Sequence, residues 1–325
     1  MTTLSPTHPL ADLRSLGIAA VANEPLADHS TWRIGGPADL LVEPASIGEV
    51  CTVVQYARAH GLPLLVIGQG SNLLFDDAGL RGIVLKLGGR LADLEISGRR
   101  IRCDAGVWVP RLARAAQRAG LAGLEHIVGI PGTVGGLVVM NGGSRRRGIG
   151  DNIRRVWIVD REGNPGMLSR EECQFGYRSS ALQGSGALVV RVELECAAGD
   201  ARLIRSDMLA DLRERRGKFP RKEPNCGSVF LSTAAMHASV GPPGKIIEEA
   251  GLKGVAIGAA EVSRRHANFI VNKGGATSRD VLALIAHIRE VVLERIGFEL
   301  HCEVRYVDAR GGIFPADRAP GATAG

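Results

Sequence analysis

The chain has 325 residues, of which 45% are apolar, and this is enough to bury a sizeable core in two or three domains. Its net charge of +6 fits anionic small molecules or a nucleic-acid surface, but only 4% of the residues are aromatic, so we expect no stacking platform and no nucleic-acid partner. No apolar run approaches the roughly 18 residues of a membrane span, and the six scattered cysteines form no zinc or redox pair, so we expect no membrane partner, no metal and a cytoplasmic protein with reduced thiols.

The first 200 residues have the pattern of an α+β domain. Residues 1–28 are predicted to be an N-terminal tail and lead-in. Helical periodicity that ends at a glycine predicts helices at 47–60 and 109–119. Short β-branched segments bounded by glycine or charge predict strands at 64–67, 83–87, 101–103, 155–160 and 187–195. Many short strands with few helices are typical of an α+β arrangement.

A second domain is predicted after about residue 204. Residues 207–218 indicate a helix with a basic end. Residues 279–296 indicate a helix that begins at a Thr277–Asp280 capping box and ends at Gly297. Its apolar face consists of Val281, Leu284, Ile285, Ile288 and Val292. Residues 311–325 are rich in glycine, alanine and proline, which predicts a disordered tail.

Two glycine-rich blocks, at 66–75 and 129–136, are the most informative motifs. Dense glycine lets backbone N–H groups approach a phosphate closely, although ordinary tight turns have a similar composition. The G-x-G-x-x-G fingerprint fails because Leu73 stands where its last glycine should be, and Gly244-Lys245 is followed by Ile246 rather than Ser or Thr. The sequence therefore predicts a phosphate-bearing ligand on neither a Rossmann nor a P-loop frame.

Eight motifs in the same order resemble the UDP-N-acetylenolpyruvoylglucosamine reductase family, in the shorter form that lacks a tyrosine-bearing loop. They are T-W-R-I-G-G-P-A-D at 31–39, the glycine block at 66–75, the second glycine block with M-N-G-G at 129–143, F-G-Y-R-S-S at 175–180, G-S-V-F at 227–230, K-I-I-E-E-A-G-L-K-G at 245–254, H-A-N-F-I-V-N at 266–272 and E-V-R at 303–305. One such motif would be weak, whereas eight in order are specific.

The resemblance implies an α+β chain with a PCMH-type (vanillyl-alcohol-oxidase-like) FAD-binding fold and a C-terminal α/β substrate-binding domain. The FAD-binding domain would span 29–203, in two subdomains of about 29–88 and 89–203, and the substrate-binding domain would span 204–310. The implied reaction is the NADPH-dependent, FAD-mediated reduction of UDP-N-acetylglucosamine enolpyruvate to UDP-N-acetylmuramate, a step of peptidoglycan precursor synthesis. FAD would be bound non-covalently, the partners would be the UDP-sugar and NADPH, and the protein would be a monomer or a weak dimer.

The resemblance also implies site residues. FAD would be contacted by Arg33, Gly68, Gly70, Ser71, Asn72, Gly129, Ile130, Pro131, Gly132, Thr133, Gly135 and Gly136. The catalytic residues would be Arg178, Ser228 and Glu303, and the substrate-binding residues Tyr177, Arg178, Arg216, Lys218 and Asn268. Ser228 would give a proton to carbon, while Arg178 and Glu303 would stabilise the enolate. Without the resemblance, these three would be interpreted as a turn serine, a surface arginine and a strand-edge glutamate.

Three segments depart from the family pattern. Arginines occupy 145–147, where the family usually has an aromatic region. His301-Cys302 replaces the usual Glu-Pro before Glu303, and residues 231–237 replace a short Lys-Asn-Pro segment. Two alternatives therefore stay open: a related FAD-dependent oxidase or dehydrogenase with another substrate, and a non-catalytic descendant that binds a UDP-sugar.

Overall fold

The computed structural model describes residues 9–320, which form two compact units that interleave along the chain. Unit 1 comprises residues 9–22, Leu40–Gln69 and Ile83–Arg215, and unit 2 comprises Asn23–Asp39, Gly70–Gly82 and residues 216–320. The predicted domains were contiguous, whereas these units are built from alternating segments of chain.

The helices and strands of residues 9–320 are as follows. The helices are α1 (Pro9–Ser15), α2 (Ile47–Ala59), α3 (Val109–Arg118), α4 (Val134–Val139), α5 (Ala201–Lys218), α6 (Ala234–Ser239), α7 (Pro243–Glu249) and α8 (Ser278–Ile296). The strands are β1 (Ala20–Pro25), β2 (Pro37–Val42), β3 (Leu64–Ile67), β4 (Leu73–Phe75), β5 (Leu80–Lys86), β6 (Leu94–Ser97), β7 (Arg100–Asp104), β8 (Leu121–Ala122), β9 (Ile153–Val159), β10 (Pro165–Ser169), β11 (Leu188–Glu195), β12 (Ala197–Ala198), β13 (Ala256–Ile257), β14 (Ala260–Val262), β15 (Ile270–Asn272), β16 (Arg305–Val307) and β17 (Ile313–Pro315). Short 3₁₀ turns lie at Leu26–His29, Glu125–Ile127, Ile149–Asp151 and Ala316–Arg318.

Unit 1 is built around an antiparallel sheet of order β10-β9-β11-β7-β6. In β7 the side chains of Ile101 and Cys103 are buried, while Arg100 and Arg102 are exposed, as expected for a strand with one face in the core. A second sheet has the order β1-β2-β5-β3, in which β3 and β5 are parallel. Helices α3 and α4 contribute the buried residues Leu112, Val134 and Val138 to the core of this unit.

Unit 2 has two small sheets and the long helix α8. The sheets have the orders β13-β14-β15 and β17-β16-β4, and β4 and β16 pair in parallel. The five predicted apolar positions of α8 are all buried, which confirms its amphipathic pattern. Trp32 is fully buried against this core, and its indole Nε1 donates to the carbonyl of Ile270 at 2.8 Å.

Most predicted elements are confirmed within a few residues. The Thr277–Asp280 capping box is present, and Gly297 ends α8 with a φ of 72°. Helix α5 begins at Ala201, six positions before its predicted start (207 − 201 = 6). Along residues 9–320, no helix combines the length and apolar character needed to cross a membrane.

The two predicted termini differ from expectation. Within the predicted lead-in, residues 9–15 form α1 and residues 20–25 form β1. Residues 313–315 form β17, which pairs with β16, and Ala316 is fully buried, so this part of the predicted disordered tail is ordered. Phe314 is half-buried and Ala316 is fully buried, and a prediction from composition alone overlooks such burial. Residues 1–8 and 321–325 lie outside the described residues.

Candidate active site

The first glycine block begins in unit 1, where β3 ends at Ile67. A Cβ on Gly68 would lie 2.3 Å from Oγ1 of Thr133, so only glycine fits beside the second block. The two glycine blocks therefore touch each other in unit 1 at Gly68 and Thr133.

The block continues in unit 2 with Gly70, which has a φ of 59°. A Cβ here would lie 2.1 Å from the carbonyl oxygen of His29, so both the backbone angle and the space require glycine. Ser71 and Asn72 are half-buried. The Asn72 side-chain amide donates to the carbonyl of Glu303 at 3.2 Å, and the Asn72 carbonyl accepts from the N–H of Arg305 at 3.0 Å. Unit 2 thus joins the first glycine block to the segment that carries Glu303.

The second glycine block has a buried part and an exposed part. Gly132, Thr133 and Gly135 are buried, and the N–H of Gly135 donates to the carbonyl of Ala105 at 2.8 Å. A Cβ on Gly135 would lie 2.9 Å from the Ala105 Cβ. Core packing therefore accounts for the missing side chain at Gly135, and its predicted contact with FAD stays a prediction.

Gly136 and Pro131 form the exposed part of this block, and Gly129 and Ile130 are half-buried. A Cβ on Gly136 would meet its nearest neighbouring atom, Oγ1 of Thr133, only at 3.8 Å. The space above Gly136 is open, and a flat ring could pass over the bare backbone there. At the other end of the block, the side chain of Arg215 packs against Gly129.

Ser228 and Glu303 lie on two segments of unit 2 that are hydrogen-bonded to each other. The N–H of Glu303 donates to the carbonyl of Val229 at 2.8 Å. The next residue, Phe230, forms an antiparallel bridge with Cys302. The loop before Ser228 is held by Asn225, whose Oδ1 accepts from the N–H of Gly227 at 3.0 Å. Two predicted catalytic residues, about 75 positions apart in sequence (303 − 228 = 75), are thus on directly paired segments.

Asn268 holds the same loop from the other side. Its Oδ1 accepts from the N–H of Phe230 at 2.9 Å, and its Nδ2 donates to the Phe230 carbonyl at 3.0 Å. The side chain is 4% exposed. The predicted contact of Asn268 with substrate stays a prediction, and both of its side-chain heteroatoms are engaged by the backbone next to Ser228. We therefore interpret it as a residue that positions the serine loop.

Arg178 lies in unit 1 on a tight turn in which Gly176 and Ser179 pair with each other. Its φ is 53°, an angle that is uncommon outside glycine. Its Nη2 donates to the carbonyl of Gly143 at 3.1 Å, so the turn is attached to the segment that follows the second glycine block. The neighbouring Tyr177 is 58% exposed, with the Arg178 guanidinium 5.9 Å from its ring centre.

The other basic candidates are on exposed positions of unit 2. Arg33, Arg216 and Lys218 are all exposed. Arg265 donates to the carbonyls of Arg216 at 2.7 Å and of Gly217 at 3.0 Å, which satisfies the carboxyl end of α5 just before Lys218. This contact holds the end of α5, where Lys218 is the last helical residue.

His266 belongs to an aromatic cluster. Its ring packs edge-on against Phe219 and Phe269. Burial, reinforced by the positive charges of Lys253 and Lys218, holds the pKa of His266 below its usual value. These ring contacts and the lowered pKa fit a structural role for His266.

Two of the three arginines at 145–147 are held by contacts within unit 1. Arg145 forms an ion pair with Asp211 of α5, and the Arg147 guanidinium donates to the Gly123 carbonyl at 3.3 Å. Burial raises the pKa of Asp211, although the charge of Arg145 acts in the opposite direction. Sequence reasoning missed Asp211, because it is one of three acidic residues in α5, with Asp207 and Glu214, and nothing in the sequence sets it apart.

Two family models match the chain. One, described as an FAD binding domain, matches residues 38–165, and the other, described as the C-terminal domain of UDP-N-acetylenolpyruvoylglucosamine reductase, matches residues 219–307. Within unit 1, the bare backbone at Gly136 offers the kind of surface that such a cofactor needs. Fold and site together define an FAD-binding oxidoreductase of the α+β, PCMH-type class.

Individual relatives identify the family. UDP-N-acetylenolpyruvoylglucosamine reductase 1 of Corynebacterium glutamicum is 48% identical over 90% of this chain and 87% of its own. The reductase of Heliobacterium modesticaldum is 45% identical over 89% of this chain and 91% of its own. The crystal structure of the Thermus caldophilus reductase has a TM-score of 0.75 and 34% identity, and it covers 89% of this chain and 98% of its own. The chain belongs to the UDP-N-acetylenolpyruvoylglucosamine reductase family, and the predicted family and FAD-binding fold are confirmed.

Proposed function

We propose that this protein reduces UDP-N-acetylglucosamine enolpyruvate to UDP-N-acetylmuramate, with NADPH as the reductant and non-covalently bound FAD as the carrier. Its family membership supports the substrate class. The observation that carries the proposal is the pairing of the Ser228 and Glu303 segments through the bond from the Glu303 N–H to the Val229 carbonyl. The alternatives of a different oxidase or a non-catalytic descendant do not require a serine and a glutamate on paired segments.

The proposed domain roles follow the matched regions. We assign residues 29–203 to FAD binding and residues 204–310 to substrate binding, which is supported by the family matches at 38–165 and 219–307. We assign the reaction to the cytoplasm, with a monomer or weak dimer as the working unit.

We propose that the exposed glycine surface and nearby donors hold the cofactor. Gly129 to Pro131 and Gly136 would lie along it, and Gly68, Gly70, Ser71 and Asn72 would lie near its phosphates with Arg33. FAD bound at this site would supply hydride chemistry at the terminal carbon of the enolpyruvyl group, with NADPH as the source of the hydride. Arg216 and Lys218 are proposed to bind phosphate groups of the substrate or of NADPH, because both side chains are exposed and cationic.

Three residues are proposed to act on the substrate. Arg178, with Tyr177 beside it, holds the substrate carboxylate and stabilises negative charge that develops on it. Ser228 transfers its hydroxyl proton to the carbon that bears the carboxylate. Glu303 shares a proton with the developing enolate and so stabilises its negative charge. A hydroxyl is a weak acid, so its transfer depends on this placement.

An anaerobic absorbance experiment tests the proposal. NADPH should bleach the visible flavin band of the purified protein, and UDP-N-acetylglucosamine enolpyruvate should then restore it. Bleaching without recovery would leave a flavin reductase with another substrate. Binding of the UDP-sugar without any consumption of NADPH would favour the non-catalytic alternative.

The variant Ser228→Ala tests the proton donor. We expect reduction by NADPH at the wild-type rate and reoxidation by substrate slowed by about 10²- to 10⁴-fold, which is the usual contribution of a positioned proton donor. Ser239→Ala is the matched control, because that exposed hydroxyl donates to the carbonyls of Ala235 and Met236 in its own helix. Equal reoxidation of S228A and wild type would remove Ser228 from the mechanism.

A further inference from the structure

A hydrogen bond that the family pattern does not predict holds residues 301–303, the segment that ends at Glu303. The position that is usually proline in the family is Cys302 here, and a proline has no N–H to donate. In this protein the N–H of Cys302 donates to Oδ1 of Asp317 at 2.9 Å. Asp317 lies beyond residue 307, where the match to the family's C-terminal domain ends.

Asp317 is a buried carboxylate on an anchored turn. Its side chain is 2% exposed, and its Oδ2 lies 3.6 Å from Nδ1 of His301, the other departing residue. The turn is anchored because the N–H of Ala316 donates to the carbonyl of Val304 at 3.1 Å. Directly before it, Pro315 of β17 pairs with Arg305 of β16. The carboxylate is therefore placed by backbone pairing with the two residues that follow Glu303.

The opposite edge of the same segment faces the Ser228 loop. The His301 carbonyl accepts from the N–H of Leu231 at 2.9 Å, and the N–H of Glu303 donates to Val229. Alternate residues of an extended strand direct their backbone groups to opposite edges. The groups of His301 and Glu303 therefore pair with the loop, while the N–H of Cys302 is directed away from it toward Asp317.

We propose that Asp317 is a positioning residue for Glu303: its carboxylate clamps the segment 301–303 against the Ser228 loop from the far side. This inference rests on the proposed function, because it assigns Asp317 to the step that uses Ser228 and Glu303. In members with proline at this position, the ring restricts the backbone without a hydrogen bond, whereas here the C-terminal turn provides the restraint.

The proposal predicts a selective loss. A displacement of about 1 Å in a catalytic group lowers the rate by up to about 10²-fold. We expect Asp317→Ala to slow reoxidation by UDP-N-acetylglucosamine enolpyruvate by about ten- to a hundred-fold, while reduction of the flavin by NADPH proceeds at the wild-type rate. Asp317→Asn keeps an oxygen acceptor for the Cys302 N–H and should recover most of the reoxidation rate. Anaerobic stopped-flow absorbance on the flavin-loaded protein measures both half-reactions.

Asp308→Ala is the matched control. Oδ1 of Asp308 accepts from the N–H groups of Arg310 and Gly312 and closes the turn before β17, without touching residues 301–303. It should reoxidise like the wild type. Equal losses in D308A and D317A, or slowing of both half-reactions in D317A, would show a general structural role and overturn the proposal. Wild-type protein that is not reoxidised by this substrate would instead contradict the proposed function, and the inference with it.

A second pair of variants covers the case in which D317A does not take up flavin. Cys302→Pro removes the donor, and the double variant C302P/D317A removes donor and acceptor together, so no buried group is left without a partner at this contact. The proposal predicts that these two proteins differ in reoxidation rate by no more than a few-fold, because Asp317 then has no N–H to hold and keeps only its contact with His301. A further slowing of about ten-fold or more in the double variant would contradict it.

Discussion

At the scale of single residues, two neighbouring positions of one motif are glycine for different physical reasons. Gly135 is buried against Ala105 and has no space for a side chain. Gly136, one position later, is exposed and has open space above it. The sequence shows two adjacent glycines and cannot distinguish a packing requirement from a ligand surface, because that depends on what lies opposite each one.

This difference predicts opposite results for Gly135→Ala and Gly136→Ala. G135A should lower the free energy of unfolding by about 1–3 kcal/mol, the usual cost of overpacking. G136A should leave it unchanged or raise it by up to about 1 kcal/mol, since alanine favours a helix over glycine. If the cofactor passes over Gly136, G136A should nevertheless bind FAD more weakly.

Urea unfolding of the flavin-free variants and flavin titration separate the two effects. An unchanged free energy of unfolding in G135A would show that the core around Ala105 can accommodate the extra methyl group. Unchanged flavin affinity in G136A would remove this position from the cofactor surface.

At the scale of elements, helix α8 shows which features can be predicted from nearby residues alone. Its capping box, its apolar face and its terminal glycine were all predicted, because each depends on residues within one or two turns. The partner of Asp317 was not predicted, because its contact with Cys302 depends on how the C-terminal strand pairs. Likewise, the resemblance implied a substrate contact for Asn268, and only the structure shows that both of its side-chain groups are hydrogen-bonded to Phe230.

The start of α8 gives an element-scale prediction. Oγ1 of Thr277 accepts from the N–H of Asp280 at 3.0 Å, and Oδ2 of Asp280 accepts from the N–H of Thr277 at 3.0 Å. Thr277→Ala should lower the free energy of unfolding by about 1 kcal/mol, because it leaves a helix N–H without its cap. Thr277→Ser keeps the oxygen and should cost little. Thermal unfolding compares them, and equal stabilities of the alanine and serine variants would show that the cap contributes nothing.

At the scale of the whole molecule, His126 links stability to pH. Burial, followed by the positive charge of Arg147, lowers the pKa of His126 to about 4. The unfolded chain has the usual value of about 6.5 and therefore binds one more proton between these two pH values. Stability is then fully present above pH 6.5 and is lost as the pH falls toward 4.

The size of this effect can be measured with His126→Gln, whose side chain stays neutral. From pH 7 to pH 5 the wild type should lose about 2 kcal/mol of unfolding free energy relative to the variant. Urea unfolding at a series of pH values tests this. Parallel curves for the two proteins would show that His126 titrates alike in the folded and unfolded chains.

The parallel pairing of β4 with β16 has a consequence for how the protein is made. Asn72 and Glu303, which are hydrogen-bonded beside this pair, are 231 residues apart. A ribosome adds roughly 5–20 residues per second, so the first glycine block must wait on the order of ten seconds or more for the strand that completes its surroundings. Unit 2 therefore reaches its final form only after nearly the whole chain has been synthesised, and its early segments are exposed to chaperones and proteases until then.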